Sequence, residues 1–190
     1  MTVGAIVLAA GSARRMGQDK LLADLGGMPV VGHVLRAIEA AGLPPALLAL
    51  APGSAVAAVA GSAVLVEVAS HEKGMGHSLA EAITAAPPDW DAAIICLGDM
   101  PFVSRATLLM LAARATATSI VRPSFEGKPG NPVAWGREYF AELAACAGDQ
   151  GGRTLLGRYA DRILTLPCDD PGVRRDIDTP QDLAAARESL

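Results

Sequence analysis

Short, almost wholly apolar runs alternate along the chain with segments in which apolar residues recur every three or four positions. The apolar runs predict strands, several of them buried on both faces as in a parallel sheet: Val3–Ala10, Ala46–Leu50, Ala63–Val68, Ala92–Leu97 and Ser119–Pro123. The three-and-four spacing predicts helices between them, at Pro29–Ala41, Gly76–Ala86 and Ser104–Ala115. This alternation indicates an α/β fold with a mostly parallel, Rossmann-like sheet flanked by helices.

The second half of the chain opens with a segment rich in Gly and Pro, Phe125 to Pro132, which predicts a long functional loop. Further strands are predicted at Val133–Trp135 and Ile163–Pro167, and further helices at Tyr139–Ala147, Arg153–Ala160 and Pro180–Glu188. Thr179 is the expected N-cap of the last helix, with Pro180 at its first position and Asp182 three residues after the cap. No repeat or linker interrupts the pattern, so we expect a single domain over residues 1–190.

Composition narrows the possible partners. Hydrophobic residues make up 51% of the chain but aromatic residues only 4%, so Ala, Val and Leu must fill the core. The net charge of −4 disfavours nucleic acid or an acidic membrane as a partner, and an anionic substrate would need local capture. The three cysteines lie far apart and suit reduced thiols. Since we find neither a signal peptide nor an apolar run long enough to cross a bilayer, we expect a cytoplasmic protein.

The richest motif is the loop that follows the first predicted strand. Residues 11–20 hold two glycines and three cations, Arg14, Arg15 and Lys20. Such a loop can bring backbone N–H groups and positive charge to a polyphosphate. We expect Gly11 and Gly17 to allow close approach of a ligand or a positive φ angle. The motif therefore predicts nucleotide binding by Leu8, Ala9, Ala10, Gly11, Arg15 and Lys20.

Two groups of carboxylates are candidates for a metal site. Asp99 follows the predicted strand Ala92–Leu97, at the edge where open α/β sheets bind ligands, and a carboxylate there suits Mg²⁺. Asp176 and Asp178 precede the last helix, where acids serve equally well as helix caps. Together with Asp99 they form a plausible two-carboxylate site.

Five ordered elements resemble those of the MobA-like NTP transferases, and within them those of the molybdenum cofactor cytidylyltransferases. They are Leu8 to Lys20, Gly74 to Leu79, Leu97 to Pro101, Gly148 to Arg153 and Asp176 to Pro180. Leu8-Ala9-Ala10-Gly11 is similar to the cytidylyl branch, since the guanylyl branch carries Leu-Ala-Gly-Gly. The chain departs from that branch at Gly130-Asn131-Pro132, where Asn131 stands in place of a His.

The resemblance implies that CMP is moved from CTP to the terminal phosphate of the molybdopterin cofactor, with release of pyrophosphate. It implies Mg²⁺ as cofactor, with Asp99 and Asp178, rather than Asp176, as its ligands. The resemblance also implies catalytic roles for Arg15, Lys20 and Asp99. It implies further contacts with the nucleotide by Gly74 and Ser78. The pterin would be bound by Asn131, Asp149 and Arg153. Ser78 would otherwise simply cap a helix. A molybdoenzyme or its chaperone would be the partner that receives the product.

Three alternatives stay open at this point. The enzyme could transfer GMP to the same cofactor, or CMP to another phosphate acceptor. It could instead be a non-catalytic carrier of the molybdenum cofactor. Among other polar and soft side chains, we expect His33 to be packed, His71 to be solvated, and Met75, Met100 and Met110 to serve packing.

Overall fold

The computed structural model describes residues 1–11, 20–148 and 151–189. The strands in those ranges are β1 (Thr2–Leu8), β2 (Asp24–Leu25), β3 (Met28–Pro29), β4 (Leu47–Leu50), β5 (Val64–Glu67), β6 (Trp90–Leu97), β7 (Ile120–Phe125), β8 (Lys128–Pro129), β9 (Val133–Gly136) and β10 (Ile163–Pro167). The helices are α1 (Val30–Ala40), α2 (Met75–Thr84), α3 (Arg105–Arg114), α4 (Phe140–Ala144), α5 (Arg153–Arg158) and α6 (Pro180–Glu188).

The strands form a mostly parallel sheet in the order β10-β7-β9-β6-β1-β4-β5, with β8 paired to β7. Strands β6, β1, β4 and β5 are parallel to one another, as are β10 and β7. β9 runs antiparallel to both of its neighbours, β6 and β7. The predicted α/β fold is confirmed, and the chain leaves β1 toward β4 but later returns to its other side as β6. This reversal creates a switch point at the carboxyl ends of β1 and β6, where folds of this class bind ligands.

Helices cover the two faces of the sheet. Because successive strand residues point to opposite faces, Val7 of β1 packs with Ile38 of α1 and Leu111 of α3. The neighbouring Ile6 packs on the other face with Leu79 of α2 and Leu143 of α4. The core is made chiefly of Ala, Val, Leu and Ile, as the composition predicts.

Local capping sets several helix ends where the sequence predicts them. Ser104 accepts a hydrogen bond from Thr107 N and starts α3. Thr179 and Asp182 form a reciprocal capping box, and α6 has the predicted bounds. This box fixes the orientation of the residues just before α6, which include Asp178.

Some predicted bounds are wrong. The helix expected at Tyr139–Ala147 is limited to Phe140–Ala144, after a 3₁₀ turn at Arg137–Tyr139. The loop expected from Phe125 to Pro132 contains β8, which pairs with β7 as a hairpin. The short segment between β8 and β9 contains Asn131 and lies near the carboxyl end of β6.

Within the ranges described, no helix is both long and apolar enough to cross a membrane.

Candidate active site

A cleft of about 900 Å³ opens at the carboxyl ends of β1 and β6. Its walls come from the ends of those strands, the start of α2, the segment before β9 and the segment before α6. The cleft brings together most of the predicted site residues that the structure describes: Leu8, Ala9, Ala10, Gly11, Lys20, Gly74, Ser78, Asp99, Asn131, Arg153 and Asp178. Arg15 and Asp149, also predicted as site residues, lie outside the described residues, as do Arg14 and Gly17.

The end of β1 forms one wall of the cleft. Ala9 N donates to Ala49 O over 2.8 Å, and Gly98 N donates to Leu8 O over 3.0 Å, so this strand end is held from both sides. Of the two expected reasons for glycine at position 11, a positive φ angle does not apply, because the φ angle of Gly11 is not among the positive ones in the described ranges. A Cβ added there would meet no described atom within 4 Å. Only the approach of a ligand therefore remains as a reason for glycine at this position.

Lys20 lies between the two predicted metal ligands. Its Nζ donates to Asp99 Oδ2 over 2.6 Å and to Asp178 Oδ1 over 2.7 Å. The Lys20 side chain is 17% exposed, against 21% for Asp99 and 51% for Asp178. One ammonium group thus joins carboxylates from two distant parts of the chain near the carboxyl ends of β1 and β6.

Burial and ion pairing oppose each other at Lys20. Burial alone would lower the pKa of its ammonium, but hydrogen bonds and charge attraction from Asp178 and Asp99 outweigh burial, and the pKa rises. The hydrogen bond from Lys20 in turn lowers the pKa of Asp178. The bridge therefore keeps Lys20 positively charged and Asp178 negatively charged at neutral pH.

Asp176 lies in the same cleft but in a different electrostatic setting. Burial raises the pKa of its carboxyl, and the negative charges of Asp178 and Asp99 raise it further. The backbone beside it is fixed, because Ile177 N donates to Asp99 O over 2.9 Å. That hydrogen bond holds the segment before α6 against the end of β6 and so keeps Asp99 and Asp178 together.

The donor set suits Mg²⁺ bound jointly with a substrate. Mg²⁺ prefers oxygen ligands and commonly takes only one or two carboxylates, with phosphate oxygens and water completing its shell. Asp99 and Asp178 converge on a single cation, the Lys20 ammonium. Across residues 1–11, 20–148 and 151–189, no group of three or more His, Cys, Asp or Glu side chains is arranged to hold a metal. The residues therefore fit Mg²⁺ provided that a phosphate-bearing ligand supplies the remaining oxygens.

The start of α2 forms another wall of the cleft. Ser78 of α2 borders the cleft together with Gly74 and is 5% exposed. Met75 contradicts its predicted packing role, because the residue is 50% exposed and also borders the cleft. His71, expected to be solvated, borders the cleft too, with Nδ1 lying 3.1 Å from Val68 O. His33 is packed as expected, with Nε2 lying 2.7 Å from Leu25 O.

The wall on the β9 side carries Asn131, Arg153 and Arg174. Asn131 N donates to Val173 O over 2.8 Å, which ties the segment before β9 to the 3₁₀ turn Pro171–Arg174. That turn is anchored by the buried Asp170, which accepts hydrogen bonds from Ser104 N, Thr107 Oγ1 and Gly172 N. Arg174 was not a predicted site residue, since nothing in the local sequence distinguishes it from the adjacent Arg175.

Comparisons with known proteins identify the family. Residues 5–163 match the MobA-like NTP transferase domain. The chain is 38% identical over 146 residues to the bifunctional protein GlmU of Dinoroseobacter shibae, which covers 72% of the chain and 32% of that protein. The chain therefore spans about a third of the length of the GlmU relatives that it matches.

Two proteins match over nearly their whole length. The purine catabolism protein PucB of Bacillus subtilis is 29% identical over 198 residues, which cover 97% of the chain and 96% of PucB. The crystal structure of Rv0371c from Mycobacterium tuberculosis superposes with a TM-score of 0.87 at 29% identity, covering 99% of the chain and 98% of Rv0371c. A second structure of Rv0371c is a complex with manganese, and it superposes with a TM-score of 0.83. Because the domain match extends over most of the chain and includes Lys20 and Asp99, the protein belongs to the MobA-like NTP transferase family.

Proposed function

We propose that the protein is a Mg²⁺-dependent nucleotidyltransferase that moves CMP from CTP to the terminal phosphate of the molybdopterin cofactor. The observation that carries the proposal is the bridge from Lys20 to Asp99 and Asp178 at the switch point. A cation site of this kind, beside the end of β1 and inside a cleft of about 900 Å³, suits a triphosphate and a second ligand.

The proposed reaction needs no general base. A phosphate monoester has a second pKa of about 6, so a terminal phosphate oxygen is already ionised near neutral pH. That oxygen forms a bond to the α-phosphorus of CTP, the bond from the α-phosphorus to the oxygen bridging the β-phosphate breaks, and pyrophosphate leaves with the electron pair. The barrier is alignment and charge repulsion between anions, which positioned cations lower.

The chain supplies those cations and the ligands for the metal. Lys20, released from its carboxylates, would hold the triphosphate oxygens as negative charge moves toward the leaving group, together with Arg15. Asp99 and Asp178 would hold Mg²⁺, which supplies charge neutralisation for the phosphates. The manganese complex of Rv0371c supports a divalent cation in a relative with the same fold.

We assign the two halves of the cleft to the two substrates. Leu8 to Gly11, Gly74 and Ser78 border the half around β1 and α2, which we assign to the nucleotide. Asn131 and Arg153 border the half near β9, which we assign to the pterin together with Asp149. The choice of CTP rests on Leu8-Ala9-Ala10-Gly11, and the choice of acceptor on the family resemblance.

Pyrophosphate release tests the proposal. Purified protein, molybdopterin cofactor and Mg²⁺ are combined with CTP, GTP, ATP or UTP in parallel, and Asp99→Asn is the control. Release with CTP that depends on the cofactor and on Asp99 supports the proposal, whereas preference for GTP indicates the guanylyl reaction. Release only with another phosphate acceptor overturns the acceptor assignment. Folded protein that binds the pterin but releases no pyrophosphate with any nucleotide indicates the carrier.

A further inference from the structure

We infer that His77 is a positioning residue that holds the chain at Gly148 and thereby sets Arg153 in the acceptor half of the cleft. The inference rests on the proposed function for the role of Arg153, while the contact between His77 and Gly148 stands on the structure alone. His77 lies between Gly74 and Ser78, both candidates for nucleotide contact, but has no predicted site role of its own.

Two hydrogen bonds join the first turn of α2 to the chain after α4. Gly76 N donates to Gly148 O over 2.7 Å. Gly148 N donates to His77 Nδ1 over 3.2 Å. Both polar groups of the Gly148 backbone are therefore paired with consecutive residues of α2, one through the main chain and one through the imidazole.

The imidazole has to present an acceptor for this contact. His77 Nδ1 lies 3.1 Å from Lys73 O as well as 3.2 Å from Gly148 N. Only a protonated Nδ1 can donate to Lys73 O, and only an unprotonated Nδ1 can accept from Gly148 N. The hydrogen bond from Gly148 N thus requires the His77 tautomer with its proton on Nε2. A substituted side chain can keep this hydrogen bond only if it places an acceptor atom close to the Nδ1 position.

Close packing strengthens the junction. A Cβ added to Gly76 would lie 2.7 Å from the carbonyl carbon of Ala147, so only glycine allows the two segments to approach this closely. On the far side of the junction, a Cβ on Gly151 would lie 3.6 Å from Met75 Cγ, and one on Gly152 would lie 3.5 Å from Leu79 Cδ2. The chain therefore lies close to α2 both at Gly148 and again at Gly151 and Gly152.

Arg153 is the first residue of α5 and borders the cleft. Its position depends on contacts between the preceding residues and α2, whereas Ser78 belongs to α2 itself. Loss of the His77 contact should therefore displace Arg153 and leave Ser78 in place. In functional terms, the KM for the acceptor should rise while the KM for CTP and kcat stay close to their wild-type values.

The test compares His77→Leu, which removes the acceptor atom, with His77→Asn, whose amide oxygen lies near the Nδ1 position. We expect His77→Leu to raise the KM for the molybdopterin cofactor about fivefold, as for the loss of one hydrogen bond worth ~1 kcal/mol. His77→Asn should keep that KM within about twofold of wild type. His33→Leu is the matched control, because it removes an imidazole–carbonyl hydrogen bond outside the cleft, between His33 and Leu25.

Arg153→Ala completes a double-mutant cycle. If His77 acts through Arg153, then His77→Leu should change the KM for the acceptor by less than about 1.5-fold when Arg153 is already alanine. Full additivity of the two effects, an equal rise in the KM for CTP, or no rescue by His77→Asn would each overturn the inference.

Amide hydrogen exchange separates this inference from the proposed function. Protection of the Gly148 amide should be lost in His77→Leu and retained in His77→Asn, whatever the substrates are. Unchanged protection in His77→Leu overturns the inference even if the enzyme is active. Should His77→Leu fail to fold, an unprotected Gly148 amide in the wild-type protein overturns the inference as well. Absence of pyrophosphate release by the wild type, with protection behaving as expected, overturns only the proposed function.

Discussion

Lys20 Nζ and Asp99 Oδ2 form an ion pair of 2.6 Å between residues that lie 79 positions apart in sequence. The pair joins the last residue of the glycine-containing motif to a residue just after β6. Asp178, which lies just before α6, forms a second ion pair with the same ammonium group. The same two carboxylates that would hold Mg²⁺ thus share one internal cation, which offsets half of their negative charge.

Replacing Lys20 by Met should have opposite effects on catalysis and on metal binding. Loss of the ammonium removes charge stabilisation from the triphosphate, so we expect kcat/KM to fall by about 10²- to 10³-fold. The two carboxylates lose their internal partner, so the nucleotide-free protein should bind Mn²⁺ more tightly. Pyrophosphate release measures the first effect, and the paramagnetic resonance signal of free Mn²⁺ measures the second.

Lys128→Met is the control for that experiment, because Lys128 is an exposed residue of β8 and does not border the cleft. It should leave both quantities unchanged. Weaker Mn²⁺ binding by Lys20→Met than by wild type would contradict competition between Lys20 and the metal.

The three carboxylates of the cleft should differ in their importance. Asp99→Asn and Asp178→Asn each remove a negative charge from the Lys20 bridge, so each should lower turnover at least 10²-fold and raise the Mg²⁺ concentration needed for half-maximal rate. Asp176→Asn should change both quantities by less than about threefold, because the ion pairs with Lys20 are made by Asp99 and Asp178 and not, among the described contacts, by Asp176. Mg²⁺ titrations of pyrophosphate release compare the three variants, and equal losses would refute the ranking.

Two Gly→Ala substitutions should have opposite effects on stability. Gly76→Ala places a methyl group within 2.7 Å of the Ala147 backbone, so we expect the free energy of unfolding to fall by about 1–3 kcal/mol. Gly157 lies inside α5, where an added Cβ meets no described atom within 4 Å. Gly157→Ala should therefore raise the free energy of unfolding by about 0.5–1 kcal/mol.

Urea denaturation measures both Gly→Ala changes. A Gly76→Ala variant as stable as wild type would show that the close approach of Ala147 to α2 is not required.

The three cysteines should differ in their reactivity toward alkylating reagents. Burial raises the pKa of Cys96 to about 12, so at pH 8 its thiol is both inaccessible and protonated. Cys146 and Cys168 are only half-buried, and burial raises their pKa values as well. We expect slow labelling of those two in the native protein, faster labelling as the pH rises toward 9, and labelling of Cys96 only after denaturation.

Mass spectrometry of peptides from iodoacetamide-treated protein distinguishes the three sites. Labelling of Cys96 in the native state at a rate similar to that of Cys146 would show that this part of the core opens readily.

Sequence reasoning succeeded where the signal is local. The bounds of α6 follow from Thr179, Pro180 and Asp182, which act within one turn of helix. The burial of β1 and β6 follows from their apolar composition. The place of Asp99 at the carboxyl edge of the sheet could be anticipated because it follows a predicted strand, whereas its pairing with Asp178 was implied by the family resemblance.

Features that depend on distant pairing could not be anticipated. The antiparallel direction of β9 is set by hydrogen bonds to β6 and β7, and no residue within β9 specifies it. Lys20 was expected on the triphosphate, yet in the structure its ammonium occupies the space between the carboxylates. The exposure of Met75 likewise depends on the shape of the cleft, since its local pattern is that of a packed helical residue.

The reversed direction of β9 has a consequence for how such a protein can diversify. Because β9 runs antiparallel to β6, it begins beside the carboxyl end of β6. The residues just before β9 therefore border the cleft but lie outside the half that we assign to the nucleotide. Insertions or deletions between β8 and β9 would then reshape the surface around Asn131 while the register of β9 with β6 and β7 stays fixed. Under the proposed function, acceptor preference could thus vary through one short connection, independently of the ion pair between Lys20 and Asp99.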